Sequence, residues 1–412
     1  MEPILRSCAG LDVHKKEIKA CIAYGDLDKQ PCFRIRTFST MSSGLRKLRA
    51  WLKEYEVTAV VMESTGIYWK PVFNILEGDF DVILANPYHI KNVPGRKTDV
   101  KDSQWLAMLL RNGLVPRSFV PPRDIRGLRD LTRTRKKLRD NMTAEKNRIQ
   151  KVLEDANIKL ASVVSKIDGV SSMRIIHALL EKDELSKEEI AEMTNGSLRK
   201  KVDQLVEALD GRVTEHHRFL LKMHLENIEF LAKQVQKLDE EIQKRMVPFD
   251  FEYRMIQTIP GISEVSAAAI IAEIGTDMSQ FPDEAHLSSW AGVSPGNNES
   301  AGVKKSGRTR KGNKFLKTSL TQVAWAASKV KDSAYSAIYS NLAKRRGKKR
   351  ALVALAHRIL IDVYRVIKSG ESYCDVGAEA VYQRRGASRE KAMIMSLQRA
   401  GYIVTKASVA DS

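Results

Sequence analysis

Four acidic residues carry the chemistry this sequence can be expected to perform. They are Asp12 in GLDVHK (10–15), Glu63 in VVMESTG (60–66), Asp99 in KTDVK (97–101) and Asp102 in KDS (101–103). The intervals place one carboxylate on a first strand, one at the end of a later strand and two on a helix. Asp99 and Asp102 are three apart, so on a helix both face the same way. Carboxylates converging from separate elements repel one another unless a cation stands between them. All-oxygen ligands of this kind suit Mg2+ or Mn2+. Two such ions can activate a nucleophile and stabilise a leaving oxygen in phosphoryl transfer. Any one of the four alone reads equally well as a surface acid; the set in this order reads as a metal site.

The surrounding pattern supplies elements to hold them. Residues 8–13, 17–24 and 32–38 read as three short strands with β-branched and aromatic content. Thr40 is placed to cap a helix through about 55, with Leu45, Leu48, Leu52 and Tyr55 at helical spacing. An apolar strand over 57–62, a short helix after Gly66, a strand over 80–85 and a helix over 99–111 follow. This order, βββαβαβα, is that of an RNase H-like domain. Nucleases on that scaffold hold metal with a strand Asp, a strand Glu and a pair of acids on the last helix. Fold alone does not give function; here the site residues and the element order agree.

Charge points to a polyanionic partner. The 412 residues imply two or three domains, with a formal net charge of +19 and a pI near 9.6. Residues 301–370 hold 18 Lys or Arg against 2 Asp or Glu, and residues 123–151 hold 11 against 4. Two dense basic segments beside a candidate nuclease site favour DNA or RNA.

Other classes are disfavoured. No apolar run approaches the roughly 18 residues of a membrane span. Arg6, Asp12, His14 and Lys15 break any signal-peptide core. Cys8, Cys21, Cys32 and Cys374 form no CxxC pair, and three fall in expected strands, so they read as reduced core residues of a cytosolic protein. The eight His show no zinc-ligand spacing, and the neighbours His216 and His217 face different ways on a helix.

Domain limits are expected at 1–122, 123–250, 251–370 and 371–412. Pro121 and Pro122 close the first. From Leu128, a loose heptad seam runs through Leu131, Leu138, Met142, Ile149, Val152 and Ala156, broken by Arg135 and Glu145. A clearer seam is Ile228, Leu231, Val235, Leu238 and Ile242, ended by Pro248. It fits two antiparallel helices of one chain as well as a coiled coil between subunits. Between the seams, residues 160–215 carry helix signals, such as the capping pattern Ser186-Lys-Glu-Glu189, and no evident chemistry.

A second functional region opens at 251. TIPGISEVSAAAIIAEIG (258–275) partly resembles a helix-hairpin-helix element, which offers backbone N–H groups to a phosphate; Ser263 stands where a second glycine is often found. Residues 286–317 read as a glycine-rich polar loop running into a helix over 313–330. Gly302, Gly307 and Gly312 allow close backbone approach to a ligand. Lys304, Lys305, Arg308, Arg310, Lys311 and Lys314 supply charge for nucleic acid. Ser300 lies in this loop, where a hydroxyl can attack a phosphodiester; on the residues alone Ser294 and Ser306 are equally eligible. The tail, 371–412, mixes Gly, Ser and both charges around Tyr382-Gln-Arg-Arg385, and reads as partly disordered or as an RNA contact.

GLDVHK, ESTG, KTDVKDS, IPGI, and GVSPGNNESAG followed by SGRTRKGN resemble, in order, the IS one-ten family of insertion-sequence transposases, related to the Piv DNA invertases. The resemblance covers roughly residues 5–370. It implies a RuvC-like DEDD domain at the N-terminus, a helical coiled-coil middle and a mainly α transposase domain with a serine nucleophile. It puts the DEDD set on Asp12, Glu63, Asp99 and Asp102. Aligned on Gly307, it puts the serine on Ser300, flanked here by Glu299 and Ala301. It further implies a recombinase guided by a bridge RNA that pairs with donor and target DNA, a dimer per DNA, a tetrameric synapse with an active site shared between subunits, and the cytosol of a bacterium or archaeon, near the nucleoid. Competing readings are a hydrolytic nuclease or junction resolvase, in which Ser300 is structural, and a binding protein with a decayed site. The presence of all four acids argues against the last.

Overall fold

The structure, a computed structural model, describes residues 3–405 apart from 65, 92, 94–100, 297, 301–302, 307–308 and 310; the side chains of 91, 298–300, 303–306 and 388 also lie outside the description. Contacts divide the chain into two compact units, Met1–Val120 and Pro121–Ser412. No helix among the described residues is long and apolar enough to cross a membrane.

The first unit is a mixed five-stranded sheet in the order β3-β2-β1-β4-β5. Its strands are β1 (Ser7–Val13), β2 (Glu17–Tyr24), β3 (Cys32–Ser39), β4 (Ala59–Glu63) and β5 (Asp81–Ala85). The first three form an antiparallel meander, and β4 joins β1 in parallel, as does β5 with β4. Its helices are α1 (Ser42–Glu54), α2 (Trp69–Leu76), α3 (Pro87–Lys91) and α4 (Asp102–Arg111). The order is the one the sequence predicts for an RNase H-like domain, with α3 added.

Alternation along the strands divides the core. Leu11, Ile22 and Met62 pack with Leu48, Leu52 and Leu76 of α1 and α2. Cys8, Cys21 and Val61 face the other way, onto Leu106 and Leu110 of α4. Gly10 lies on this second face. A Cβ there would stand 2.2 Å from the Ser103 carbonyl oxygen and 2.5 Å from the Ala107 nitrogen, so only glycine lets α4 lie directly on β1.

Two local expectations are corrected. Thr40 does not cap α1: the cap position is Met41, and the Thr40 hydroxyl donates instead to the Lys15 carbonyl at 2.9 Å. The helix expected over 99–111 begins at Asp102, because Lys101 before it is extended (φ −61°, ψ 143°). Asp99 lies outside the described residues.

In the second unit α5 (Arg123–Asp155) and α10 (Glu215–Met246) lie against each other. Arg135 pairs with Asp239, while Glu145 accepts from Asn227 at 2.9 Å and meets His224 at 2.8 Å, so the helices run antiparallel within one chain. The two charges that break the first seam are thus the two matched across it. Between these helices α6 (Leu160–Val163), α7 (Val170–Glu181), α8 (Lys187–Met193) and α9 (Val202–Ala208) pack a core against the end of α5 and the start of α10, and Ser186 and Glu189 form the expected capping box.

Then follow α11 (Asp250–Gln257), α12 (Glu264–Ile274), α13 (Glu284–Ala291), the hairpin β6 (Asn298–Ser300) and β7 (Val303–Ser306), α14 (Lys314–Ala327), α15 (Ala334–Arg346), α16 (Lys348–Ser369) and α17 (Gly377–Arg399). Two expectations change here. Residues 286–291 belong to α13, started by Asp283, whose side chain accepts from the His286 nitrogen at 2.7 Å, and stopped by left-handed Gly292. The tail contains α17, which packs on α15.

Two measurements test the packing. Gly10→Ala is expected to lower the unfolding free energy by about 2–3 kcal/mol through overpacking of α4 on β1; an unchanged urea midpoint would mean that the helix is not seated there. The cysteines differ from the uniform core reading: Cys8 and Cys21 are buried, Cys32 and Cys374 exposed, and all are free. Burial pushes the Cys8 and Cys21 thiols up to about 12. A maleimide at neutral pH should therefore modify Cys32 and Cys374 and spare the other two. Labelling of Cys8 in the folded protein would contradict the close α4 contact.

Candidate active site and nucleic-acid interface

In the first unit Asp12, Glu63 and Asp102 are brought to one end of one sheet face. Leu11 of β1 is in register with Met62 of β4, so the next step along the parallel pair sets Asp12 beside Glu63 at the strand ends. Adjacent strands lie about 4.8 Å apart. Asp12 shares the α4 face with Cys8 and Gly10 by alternation, and Asp102 is the first residue of α4, next to the Ser103 that rests on Gly10. Three separate elements thus converge on this end of the face.

Two neighbours of Asp12 were not among the candidate site residues. His14 Nε2 is 3.0 Å from Asp12 Oδ2, and the Asp12 side chain is a quarter exposed, at 25%. Lys19 of β2 is the direct antiparallel partner of Asp12. The signal for His14 is its i+2 position, which repeats the strand face; that for Lys19 needs the hairpin register. Among the described residues no three His, Cys, Asp or Glu stand close enough together to hold a metal ion. The donor type nonetheless fits a hard dication: the acids offer oxygen only, from the ends of rigid elements.

In the second unit Ser300 is not in an open loop. It ends β6, with its backbone paired to Val303 of β7. Lys304, Lys305 and Ser306 are in β7, Arg308 and Arg310 lie outside the described residues, and Lys311 and Lys314 are exposed. Ser294 is half-buried, its nitrogen donating to the Ser288 carbonyl at 3.4 Å.

The base of this hairpin segment is tightly closed. A Cβ on Gly312 would fall 2.4 Å from the Gly292 nitrogen. The Lys317 ammonium donates to the Gly292 carbonyl at 3.0 Å and to the Thr309 hydroxyl at 2.8 Å. Asn313 caps α14 through its side-chain oxygen, accepting from the Phe315 and Leu316 nitrogens, and its amide donates to Glu273 at 2.6 Å.

Glu273 is the centre of a buried network. It is 3% exposed and accepts from Arg133 at 2.7 and 2.8 Å, with Arg129 3.3 Å away. Arg129 also donates to the Ala272 and Glu273 carbonyls at the end of α12. Burial brings the Arg129 guanidinium down to about 10. A lone Glu in the apolar run SAAAIIAEIG was the sequence signal, since a buried charge requires a partner.

The Pro260-Gly261 turn sits on α14. Gly261 has φ +89°, and a Cβ there would meet the Val323 oxygen and the Ala327 nitrogen at 2.7 Å. Ser263, at the position where a second glycine is often found, caps α12 by accepting from the Ser266 nitrogen.

Comparison with known proteins finds two family matches. Residues 9–158 match the DEDD transposase family of IS110 type, and residues 253–340 match the transposase family IS116/IS110/IS902. A putative transposase y4pF/y4sB of Sinorhizobium fredii is 26% identical over 187 residues, 44% of this chain and 48% of that one. The transposase for insertion sequence element IS1111A of Coxiella burnetii is 31% identical over 139 residues, 32% and 38% of the two chains. The chain thus spans about half the length of the first of these relatives and less of the second. The pilin gene-inverting protein of Moraxella bovis is 23% identical over 382 residues, 88% of this chain and 96% of that one. With a DEDD match in its first part and a transposase match in its second, the chain belongs to the IS110 family of transposases.

Proposed function

We propose that the protein is a metal-dependent DNA recombinase of a mobile element, cutting and rejoining strands through a serine, with a bridge RNA pairing to donor and target DNA. The observation that carries this reading is the register that sets Asp12 beside Glu63 at the start of α4, in a chain whose second part matches a transposase family. Asp12, Glu63, Asp99 and Asp102 would hold Mg2+ or Mn2+, which when bound lowers the cost of charge on the phosphate and on the leaving oxygen. His14 holds the Asp12 carboxylate in one orientation. Ser300 attacks phosphorus: its hydroxyl proton leaves, the Oγ–P bond forms, and the P–O bond to the departing sugar oxygen breaks, that oxygen taking up a proton. The phosphoseryl ester keeps the bond energy, so the reverse step joins a new strand. Water in the same role would cut irreversibly.

Lys304, Lys305, Arg308, Arg310, Lys311 and Lys314 hold the backbone, while base pairing selects sequence, as in other RNA-guided systems. A dimer on each DNA and a tetrameric synapse follow from the family resemblance.

The test is cleavage of a suicide DNA substrate with guide RNA and Mg2+, read on a denaturing gel with peptide mapping. A serine adduct at Ser300 is expected. Chelation and Asp12→Ala should each abolish cleavage, and Ser300→Ala should lose adduct and recombination while keeping nucleic-acid binding. Each loss is expected to be on the order of ten-thousand-fold, as for removal of one member of a catalytic set. Full cleavage under excess chelator would remove the metal from the mechanism. An adduct on Ser294 or Ser306 would move the nucleophile, and cleavage without adduct would leave a hydrolytic nuclease.

A further inference from the structure

One face of α14 leads away from the hairpin base. Lys314, Thr318, Thr321 and Trp325 follow one another at steps of four, three and four, a single stripe of α14, and Lys329 stands in the turn just beyond it. Trp325 is 49% exposed, an unusual position for an indole. The Lys329 ammonium stands 4.5 Å from its ring centroid. Beside the ring is a recess of about 700 Å3, to which Leu352 of α16 contributes an apolar wall.

Lys314 and Lys317 line the recess, and a denser cationic run precedes Leu352 in the chain. Leu352 follows Lys348, Lys349 and Arg350 in the first turns of α16, and Lys344, Arg345 and Arg346 end α15 just before Gly347. All six are exposed, and none makes an ion pair among the described residues. The three in α16 also sit at the positive end of a 22-residue helix with no acid in its first turn, where the helix dipole disfavours them. Such a cluster is stabilised by an external anion.

We infer that this surface binds a single-stranded polynucleotide, with a base stacked at Trp325 and the following phosphates on the 344–350 cluster. The charge complementarity calls for a polyanion, and the exposed indole decides its form. In a duplex the base faces are already stacked on one another, so a free aromatic face gains nothing; an unpaired base offers its own face. Thr318, Thr321 and Gln322 add polar contacts without sequence preference. The assignment rests on the nucleic-acid role proposed for the adjoining hairpin, which it extends to a defined strand chemistry.

The test uses the full chain with labelled oligothymidylate and oligouridylate of about a dozen nucleotides, and with a duplex of the same length. Trp325→Ala is expected to weaken single-strand binding by roughly ten-fold, the size of one base stack, and Trp325→Phe to retain most of it. Duplex binding should be unchanged for both. Replacing Lys348, Lys349 and Arg350 with Gln should reduce the single-strand salt slope by about 2, near 0.7 for each phosphate released. A larger effect on the uridylate or on the thymidylate assigns the strand as RNA or DNA. Unchanged single-strand affinity in Trp325→Ala, or an equal loss on the duplex, would overturn the site. If that variant also still forms the Ser300 adduct, the recombinase reading stands without this surface. If the parent protein forms no adduct but shows the stacking loss, the surface stands without the recombinase.

Discussion

A carboxylate that is 3% exposed cannot remain charged on its own, and Glu273 is surrounded accordingly. Arg133 and Arg129 approach it from α5, and Asn313 from the start of α14. Removing one member of such a set leaves an uncompensated charge inside the protein, which costs several kcal/mol. That penalty fixes three elements distant in sequence against one another. The end of α12 is capped by the same Arg129, and the first turn of α14 by the same Asn313. The frame that carries the serine hairpin therefore rests on one acid that was not among the candidate site residues.

The first unit solves a different problem. The metal site proposed for it needs acids that are close to one another yet reachable. Strand ends provide this, because the core beneath is apolar and the next residue is already at the rim. The seating of α4 on Gly10 adds a helix start to the same rim without a side chain between. The glycine thus shapes the candidate site alongside the acids, although it contributes no atom to it.

Signals of short range were legible in the sequence. The strands around Asp12 and Glu63 stand out by their apolar and β-branched content, and their limits are met within one or two residues. The capping box at Ser186 was equally plain. The start of α4 was not, because Lys101 at the cap carries no capping side chain and the Asp99–Asp102 spacing fits a longer helix. The hairpin around Ser300 was hidden because its strands are three and four residues long, too short for any period to appear. Glu273 and Arg133 are 140 residues apart, and only the fold introduces them. The helix α17 was missed because its mixed charges lack a strong apolar stripe; it packs on α15, a contact of long range.

The closure at Gly292 and Gly312 has a consequence for how such a chain can change. The chain leaves α13 and returns to α14 through a neck where Gly312 lies against Gly292 and the Asn313 nitrogen donates to the Trp290 carbonyl, locked by Lys317. Lengthening or rewriting the segment beyond that neck need not move either helix, since loop-closure cost grows slowly with length. The segment is therefore a graftable module. A hairpin from a sister protein could be transplanted between the two glycines, carrying its own side chains and charges onto an unaltered helical chassis.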